Sequence, residues 1–118
     1  MRRRILSISY DLSLLTTRQM LLEQAGYQPI SALGFTDAVQ RCREGKFDLA
    51  IIGHSIPQKD KRALVQEIRQ SCKAPVLSLY TTSEGPLEAA EYAIDANEGP
   101  AAVLNMVNQI VGTNDQNV

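Results

Sequence analysis

Few residues in this chain have the types and spacing that a chemical site requires. His54 is the only histidine, and with the two cysteines, Cys42 and Cys72, it cannot supply the four ligands of an ordinary zinc site. Asp11 and Asp95 could hold a cation together, although two carboxylates alone make a weak ligand set. The sequence contains neither a Gly-x-Gly-x-x-Gly motif nor a phosphate-binding loop. We therefore predict no metal site and no cofactor.

Five residues could contact a ligand or a partner, and each has a simpler structural role as an alternative. Ser9 and Ser55 could bind an anion through their hydroxyl groups, or they could satisfy backbone groups at strand ends. Tyr10 and Tyr80 could shape a pocket or a partner contact, or they could fill space at the edge of a sheet. His54 could be a pH-sensitive contact, or a loop histidine without a special role. The residue types alone leave these alternatives open.

The composition is that of one globular domain. The chain has 118 residues, of which 44% are hydrophobic and 21% are charged, and these values exclude disorder as the main description. The net charge of −1 argues against a nucleic-acid-binding surface. No apolar run approaches the roughly 20 residues of a membrane span, and the basic start lacks the apolar segment of a signal peptide. We therefore expect a cytoplasmic protein with free thiols that contacts neither nucleic acid nor membrane.

The charges are divided unevenly along the chain. Residues 1–73 carry a net charge of +5, whereas residues 74–118 contain no basic residue and carry a net charge of −6. Such a division could steer a basic partner to one end of the molecule. The alternative is that the acidic residues only form a solvated face.

Short apolar runs alternate with helical patterns along the sequence. The runs predict five strands, at residues 5–8, 28–32, 49–52, 75–80 and 92–94. The helical spacing of apolar residues predicts helices at 14–25, 36–44, 60–71 and 100–111. Asp11 or Ser13 could cap the first helix, and Gly26 could end it. We predict one α/β domain with a doubly wound parallel sheet of order 2-1-3-4-5, and with the first and last helices on one face.

The segment between the fourth and fifth strands does not fit this alternation. Only twelve residues separate Leu79 from Tyr92, and Gly85 and Pro86 interrupt them. Both residues disfavour the interior of a helix. We therefore predict no α-helix longer than about two turns between Thr81 and Ala90.

Three stretches of the sequence are similar to a known family. They are RILSISYD at residues 4–11, FDLAIIGHSIPQKD at residues 47–60 and APVLSL at residues 74–79. Together they resemble the receiver domain of response regulators in two-component signalling, over about residues 3–112. The resemblance implies a flavodoxin-like (βα)5 fold, here with the fourth helix shortened or lost. Residues 1–112 would form this receiver-like domain, and residues 113–118 a flexible tail.

The resemblance implies a phosphorylation site, but this chain departs from it at each position. Receiver domains are phosphorylated on their own aspartate at the end of the third strand. The reaction uses a cation that two acids hold, and a hydroxyl and a lysine that bind the phosphoryl oxygens. The matching positions here are, in that order, Gly53, then Ser9 and Tyr10 with Asp11 beside them, Tyr80 with Thr81 beside it, and Asp95. Glycine has no group to phosphorylate, so the resemblance is to a degenerate member without the phosphoacceptor.

These departures lead to a prediction of function. We predict a stand-alone, atypical receiver, or pseudo-receiver, that is not an enzyme and acts by protein–protein interaction without ordinary aspartyl phosphorylation. Its predicted partner is a sensor kinase, another receiver or a second copy of the chain. The alternative is a phosphorelay receiver with a displaced acceptor at His54, Ser55 or Asp11, and a small-ligand sensor is less favoured. The predicted pocket contacts are His54, Ser55 and Thr81.

Overall fold

Five parallel strands form one sheet in the computed structural model, which describes residues 2–112. The strands lie in the order β2-β1-β3-β4-β5. Their bounds are Arg4–Ser9 (β1), Gln28–Leu33 (β2), Leu49–Ile52 (β3), Val76–Tyr80 (β4) and Tyr92–Asp95 (β5). The α-helices are Leu12–Gln24 (α1), Phe35–Glu44 (α2), Gln58–Gln70 (α3) and Pro100–Val107 (α4). The predicted fold class and strand order are confirmed, while the predicted tail at 113–118 lies outside the described residues.

Helices cover both faces of the sheet, and each face has its own buried cluster. On one face, residues of α1 and α4 such as Leu22 and Val107 pack with Ile51 of the central strand. On the other face, residues of α2 and α3 such as Leu64 pack with Ile52. Successive strand residues point to opposite faces, so a strand covered on both sides must be apolar throughout, as β3 is. The first and last helices share a face, as predicted.

The ends of the helices agree with the capping signals, with one correction at the start of α3. Asp11 caps α1, since its side chain accepts a hydrogen bond from the backbone N–H of Leu14 at 3.0 Å. Gly26 follows the helix with a φ of 95°, a conformation that glycine adopts without steric cost. Helix α3 begins at Gln58, two residues earlier than predicted, because Pro57 already serves as its N-cap.

The last helix differs from a regular amphipathic helix near its end. Pro100 is at the first position of α4, as predicted, and α4 continues into a π turn at Asn108–Gly112. The wider turn places Val111 in the core, while Ile110, which is seven residues after Val103 and would share its face in a regular α-helix, is only partly buried. A 3₁₀ turn at Ala96–Glu98 connects β5 to this helix.

The two cysteines lie together under the α2–α3 face. Cys42 is buried on α2, and the partly buried Cys72 lies just beyond the end of α3. Their Sγ atoms are 2.8 Å apart, and both thiols are free. Burial, together with the contact to Cys42, raises the pKa of Cys72 to about 12, so this thiol stays protonated at neutral pH.

The connection between β4 and β5 contains no α-helix, which confirms the prediction for residues 81–90. Gly85 has a φ of 80° and is followed by Pro86, and neither residue continues a helix. Leu87 is the residue of this connection that enters the core of the α2–α3 face. The chain therefore passes from β4 to β5 by a series of turns.

Ion pairs to α3 hold this connection in place. Lys61 is fully buried on α3, and its Nζ donates to Oε1 of Glu84 and to the backbone oxygen of Leu79, both at 2.7 Å. Nearer the other end of the connection, Arg69 pairs with Glu91 at 2.9 Å. Two of the acidic residues in the last third of the sequence are therefore neutralised within the domain.

No helix within residues 2–112 combines the length and the apolar character needed to cross a bilayer.

Candidate functional site

The strand ends bring the predicted site residues to one edge of the sheet. Parallel strands present all their carboxyl ends at the same edge, which is where sheets of this topology bind ligands. Ser9 ends β1, Tyr80 ends β4 and Asp95 ends β5, while Gly53 follows β3 directly. We call this edge the rim.

The two serines of the rim bind each other and the local backbone. The Oγ atoms of Ser9 and Ser55 are 3.2 Å apart. The backbone N–H of Tyr10 donates to Ser55 Oγ at 3.1 Å, and that of Asp11 donates to Ser9 Oγ at 3.0 Å. Both hydroxyl groups are therefore engaged within the protein, where they join the end of β1 to the loop that follows β3.

The space above Gly53 is occupied by an arginine from α1. A Cβ atom added to Gly53 would lie 3.1 Å from Nη2 of Arg18 and 3.0 Å from the backbone oxygen of Ile8. The Gly53 N–H donates to the same Ile8 oxygen at 3.0 Å, which fixes the backbone there. Glycine and arginine are thus complementary, because the missing side chain leaves the room that the guanidinium fills.

Arg18 is a buried cation without a carboxylate partner among residues 2–112. Its relative exposure is 9%, and its Nη1 donates to Ser7 Oγ and to the backbone oxygen of Ile8, both at 3.2 Å. Burial lowers the pKa of Arg18 to about 10, since removal from water disfavours the charged form. The side chain still carries its positive charge at neutral pH.

A cavity of about 240 Å³ lies beside this arginine, between α1 and α4. Its walls are mainly apolar and include Leu21 and Val103, and Arg18 and His54 are its ionisable lining residues. The Nδ1 atom of His54 is buried and has no hydrogen-bond partner within the described part of the chain. His54 is thus a lining residue of the cavity, whereas Ser55 is turned toward Ser9.

Tyr10 closes the other side of the rim. Its hydroxyl donates to Oδ2 of Asp60, in the first turn of α3, at 2.9 Å. Burial first, and then the hydrogen bond and charge of Asp60, raise the pKa of Tyr10 to about 12. The phenol is thus a proton donor at neutral pH, and its ring packs against the α2–α3 cluster.

The two acids considered as cation ligands are engaged in local hydrogen bonds. Asp95 accepts from Thr82 Oγ1 and from the backbone N–H of Asn97, both at 2.9 Å. Asp11 caps α1, as described above. Within residues 2–112, no group of three or more His, Cys, Asp or Glu side chains is placed to hold a metal ion.

The remaining rim residues lie at the end of β4. Tyr80 is paired in register with Asp95 of β5 and is partly exposed. Thr81 follows it, with its Oγ1 3.3 Å from Ser83 Oγ. Both residues therefore border the rim on the side of the β4–β5 connection.

Two buried cations, Arg18 and Lys61, were missed by the sequence analysis. Each lies where a helical apolar stripe predicts a hydrophobic residue: Arg18 between Leu15 and Leu22, and Lys61 three residues before Leu64. A charged residue within such a stripe is the signal that could have identified them, because a buried charge requires a partner or a function.

No protein-family model and no curated protein sequence matches this chain. Solved structures do match it. A CheY-like response regulator receiver domain protein of Methanospirillum hungatei has a TM-score of 0.81 at 16% identity, with 100% of both chains covered. Chemotaxis protein CheY4 of Vibrio cholerae has a TM-score of 0.79 at 21% identity, over 94% of this chain and 100% of its own.

Another similar structure contains ligands. Response regulator TrrA of Thermotoga maritima, in complex with Mg²⁺ and BeF, has a TM-score of 0.79 at 20% identity, over 92% of this chain and 99% of its own. At these identities the similarities establish the fold, which is the CheY-like, flavodoxin-like fold of receiver domains.

Proposed function

We propose that this protein is an atypical receiver domain of two-component signalling, which acts through protein–protein contacts and without aspartyl phosphorylation. The observation that supports this proposal most strongly is the pairing of Gly53 with Arg18. At the end of β3, where the resemblance places the phosphoacceptor, there is no side chain, and a guanidinium fills the adjacent space. The guanidinium of Arg18 therefore takes the space that the side chain of a phosphoacceptor would need.

The other groups at the rim also fit poorly with phosphoryl transfer. The reaction requires a carboxylate nucleophile and a cation held by neighbouring acids. Ser9 and Tyr10 provide no carboxylate, and Asp11 is used as a helix cap. Asp95, near the position that the resemblance assigns to a lysine, would repel phosphoryl oxygens rather than attract them. These positions therefore lack the carboxylate pair and the positive charge that phosphoryl transfer uses.

A displaced phosphoacceptor remains the second candidate function, because His54 has a ring nitrogen without a partner in the described chain. The other two proposed acceptors, Ser55 and Asp11, are each engaged in hydrogen bonds. Histidine phosphorylation would require a phosphodonor to reach Nδ1 or Nε2. The two functions therefore make opposite predictions for incubation with a phosphodonor.

Protein contact is supported by exposed apolar side chains near the rim. Leu33 ends β2 and Phe35 begins α2, while Leu12 begins α1, and these side chains are 43%, 36% and 63% exposed. Exposed large apolar side chains can mark interaction sites. We propose that they contribute to contact with a sensor kinase, another receiver or a second copy of the chain.

Mg²⁺ with beryllium fluoride, the combination found in the TrrA complex, is expected not to bind at the rim. Without a carboxylate at Gly53 there is no group to hold this phosphoryl analogue, so the amide NMR signals of Ser9, Gly53 and Thr81 should show no saturable shift. Fluoride and Mg²⁺ without beryllium provide the control. A saturable shift of these signals that requires beryllium would contradict the proposed function.

A further inference from the structure

The cavity between α1 and α4 combines apolar walls with a buried positive charge. Leu14 and Leu21 of α1 face Val103 and Leu104 of α4 across it, and Arg18 lies at one side. No acidic residue of the described chain lines it. Its volume of about 240 Å³ equals that of about eight water molecules in the liquid, which suits a small organic molecule.

The guanidinium of Arg18 has unused hydrogen-bonding capacity. Arginine offers five N–H donors in a planar fork that matches a carboxylate. Within residues 2–112 the hydrogen bonds of Arg18 come from Nη1 alone, so Nε and Nη2 make none. A buried cation without a counter-charge is costly, and proteins rarely retain one unless it is paired or serves a function. An anion in the cavity would supply the missing partner.

Two further features favour an anion at the same place. His54 lines the cavity, so its imidazole lies beside an anion bound there. Gly99 and Pro100, at the start of α4, also line the cavity. The positive end of a helix dipole is at its N-terminus and stabilises negative charge nearby.

We infer that this cavity binds an amphipathic organic anion, with its carboxylate on Arg18 beside His54 and its hydrocarbon body between α1 and α4. The inference goes beyond the proposed function, since it adds a ligand to a domain that would otherwise act through protein contacts alone. A body of about ten non-hydrogen atoms agrees with the cavity volume.

Octanoate and 4-phenylbutyrate are suitable probes, with octanol and 4-phenylbutanol as neutral counterparts that have the same carbon skeletons. We expect at least one carboxylate to bind saturably in a calorimetric titration, at least about tenfold more tightly than its alcohol, because charge-assisted hydrogen bonds are the strong ones. Amide NMR shifts on binding should cluster at Arg18, His54 and Val103. The wild-type comparison of acid with alcohol needs no variant.

The Arg18→Met variant should reduce carboxylate affinity by about tenfold or more and leave affinity for the alcohol nearly unchanged. The matched control is Arg62→Met, the same substitution at an exposed position of α3, which should leave both affinities unchanged. The inference is overturned if neither carboxylate binds, if acid and alcohol bind equally, or if Arg18→Met binds the acid as wild type does. Shifts located only at the exposed side chains Leu12, Leu33 and Phe35 would likewise overturn it.

Discussion

The Glu84→Gln variant is expected to lose about 3 kcal/mol of unfolding free energy, the lower end of the range for breaking a buried ion pair. Lys61 has no exposed surface, and Glu84 supplies its only carboxylate partner in the described chain. The variant leaves an ammonium group in the core with a neutral amide beside it. The loss is moderated because Glu84 is 22% exposed and because the bond to Leu79 remains. Urea unfolding of the wild type and the variant measures this loss of unfolding free energy.

A second variant separates the cost of the unpaired charge from the value of the pair. Lys61→Met combined with Glu84→Gln removes both charges from the contact, so its stability should return to within about 1 kcal/mol of wild type. Glu67→Gln is the surface control, since Glu67 pairs with Arg43, which is 63% exposed, and its loss should stay below about 1 kcal/mol. If Glu84→Gln costs no more than Glu67→Gln, the buried pair does not hold the β4–β5 connection.

Placing a branched side chain at Gly53 is expected to lower the unfolding free energy by about 2 to 3 kcal/mol. In Gly53→Val the new Cβ meets the backbone oxygen of Ile8 at 3.0 Å and Nη2 of Arg18 at 3.1 Å. The backbone oxygen is held by its hydrogen bond, so Arg18 must move out of the space it occupies. Gly53→Ala, which adds only the Cβ, should cost less.

The same site allows a double-mutant cycle that tests whether Gly53 and Arg18 share this space. In an Arg18→Met background the shorter, uncharged side chain lacks the guanidinium that the new Cβ meets, and the cost of Gly53→Val should fall by about 1 kcal/mol or more. Chemical denaturation of the four proteins gives the coupling energy. Equal costs in both backgrounds would mean that Arg18 does not occupy the position above Gly53.

The sheet and most helix ends were predictable because they depend on short-range patterns. The apolar run of β3 indicates a strand covered on both faces, and the caps at Asp11 and Gly26 mark the ends of α1. The absent helix between β4 and β5 follows from its length and from Gly85 and Pro86. Each of these inferences uses residues within a few positions of one another, where sequence and local conformation are directly coupled.

The candidate site was only partly predictable, because its charges come from helices distant in sequence from the rim. The vacant position at Gly53 could be identified from the sequence, but its occupation by Arg18 depends on how α1 packs on the sheet. The partner of Lys61 is 23 residues away and lies in an irregular connection. The π turn that places Val111 in the core is likewise invisible to a 3.6-residue spacing.

Intact mass after incubation with acetyl phosphate and Mg²⁺ tests most directly whether this receiver fold has lost its phosphoryl chemistry. The wild-type protein should gain no phosphoryl group, since Gly53 offers no nucleophile. Gly53→Asp should also remain unmodified, because the new carboxylate would lie against Arg18 without an acidic pair to hold the cation. A phosphoryl group on the wild type, mapped to His54, Ser55 or Asp11, would contradict the proposed function and support a displaced acceptor. Efficient labelling of Gly53→Asp would show that the rim has kept the chemistry that we propose it has lost.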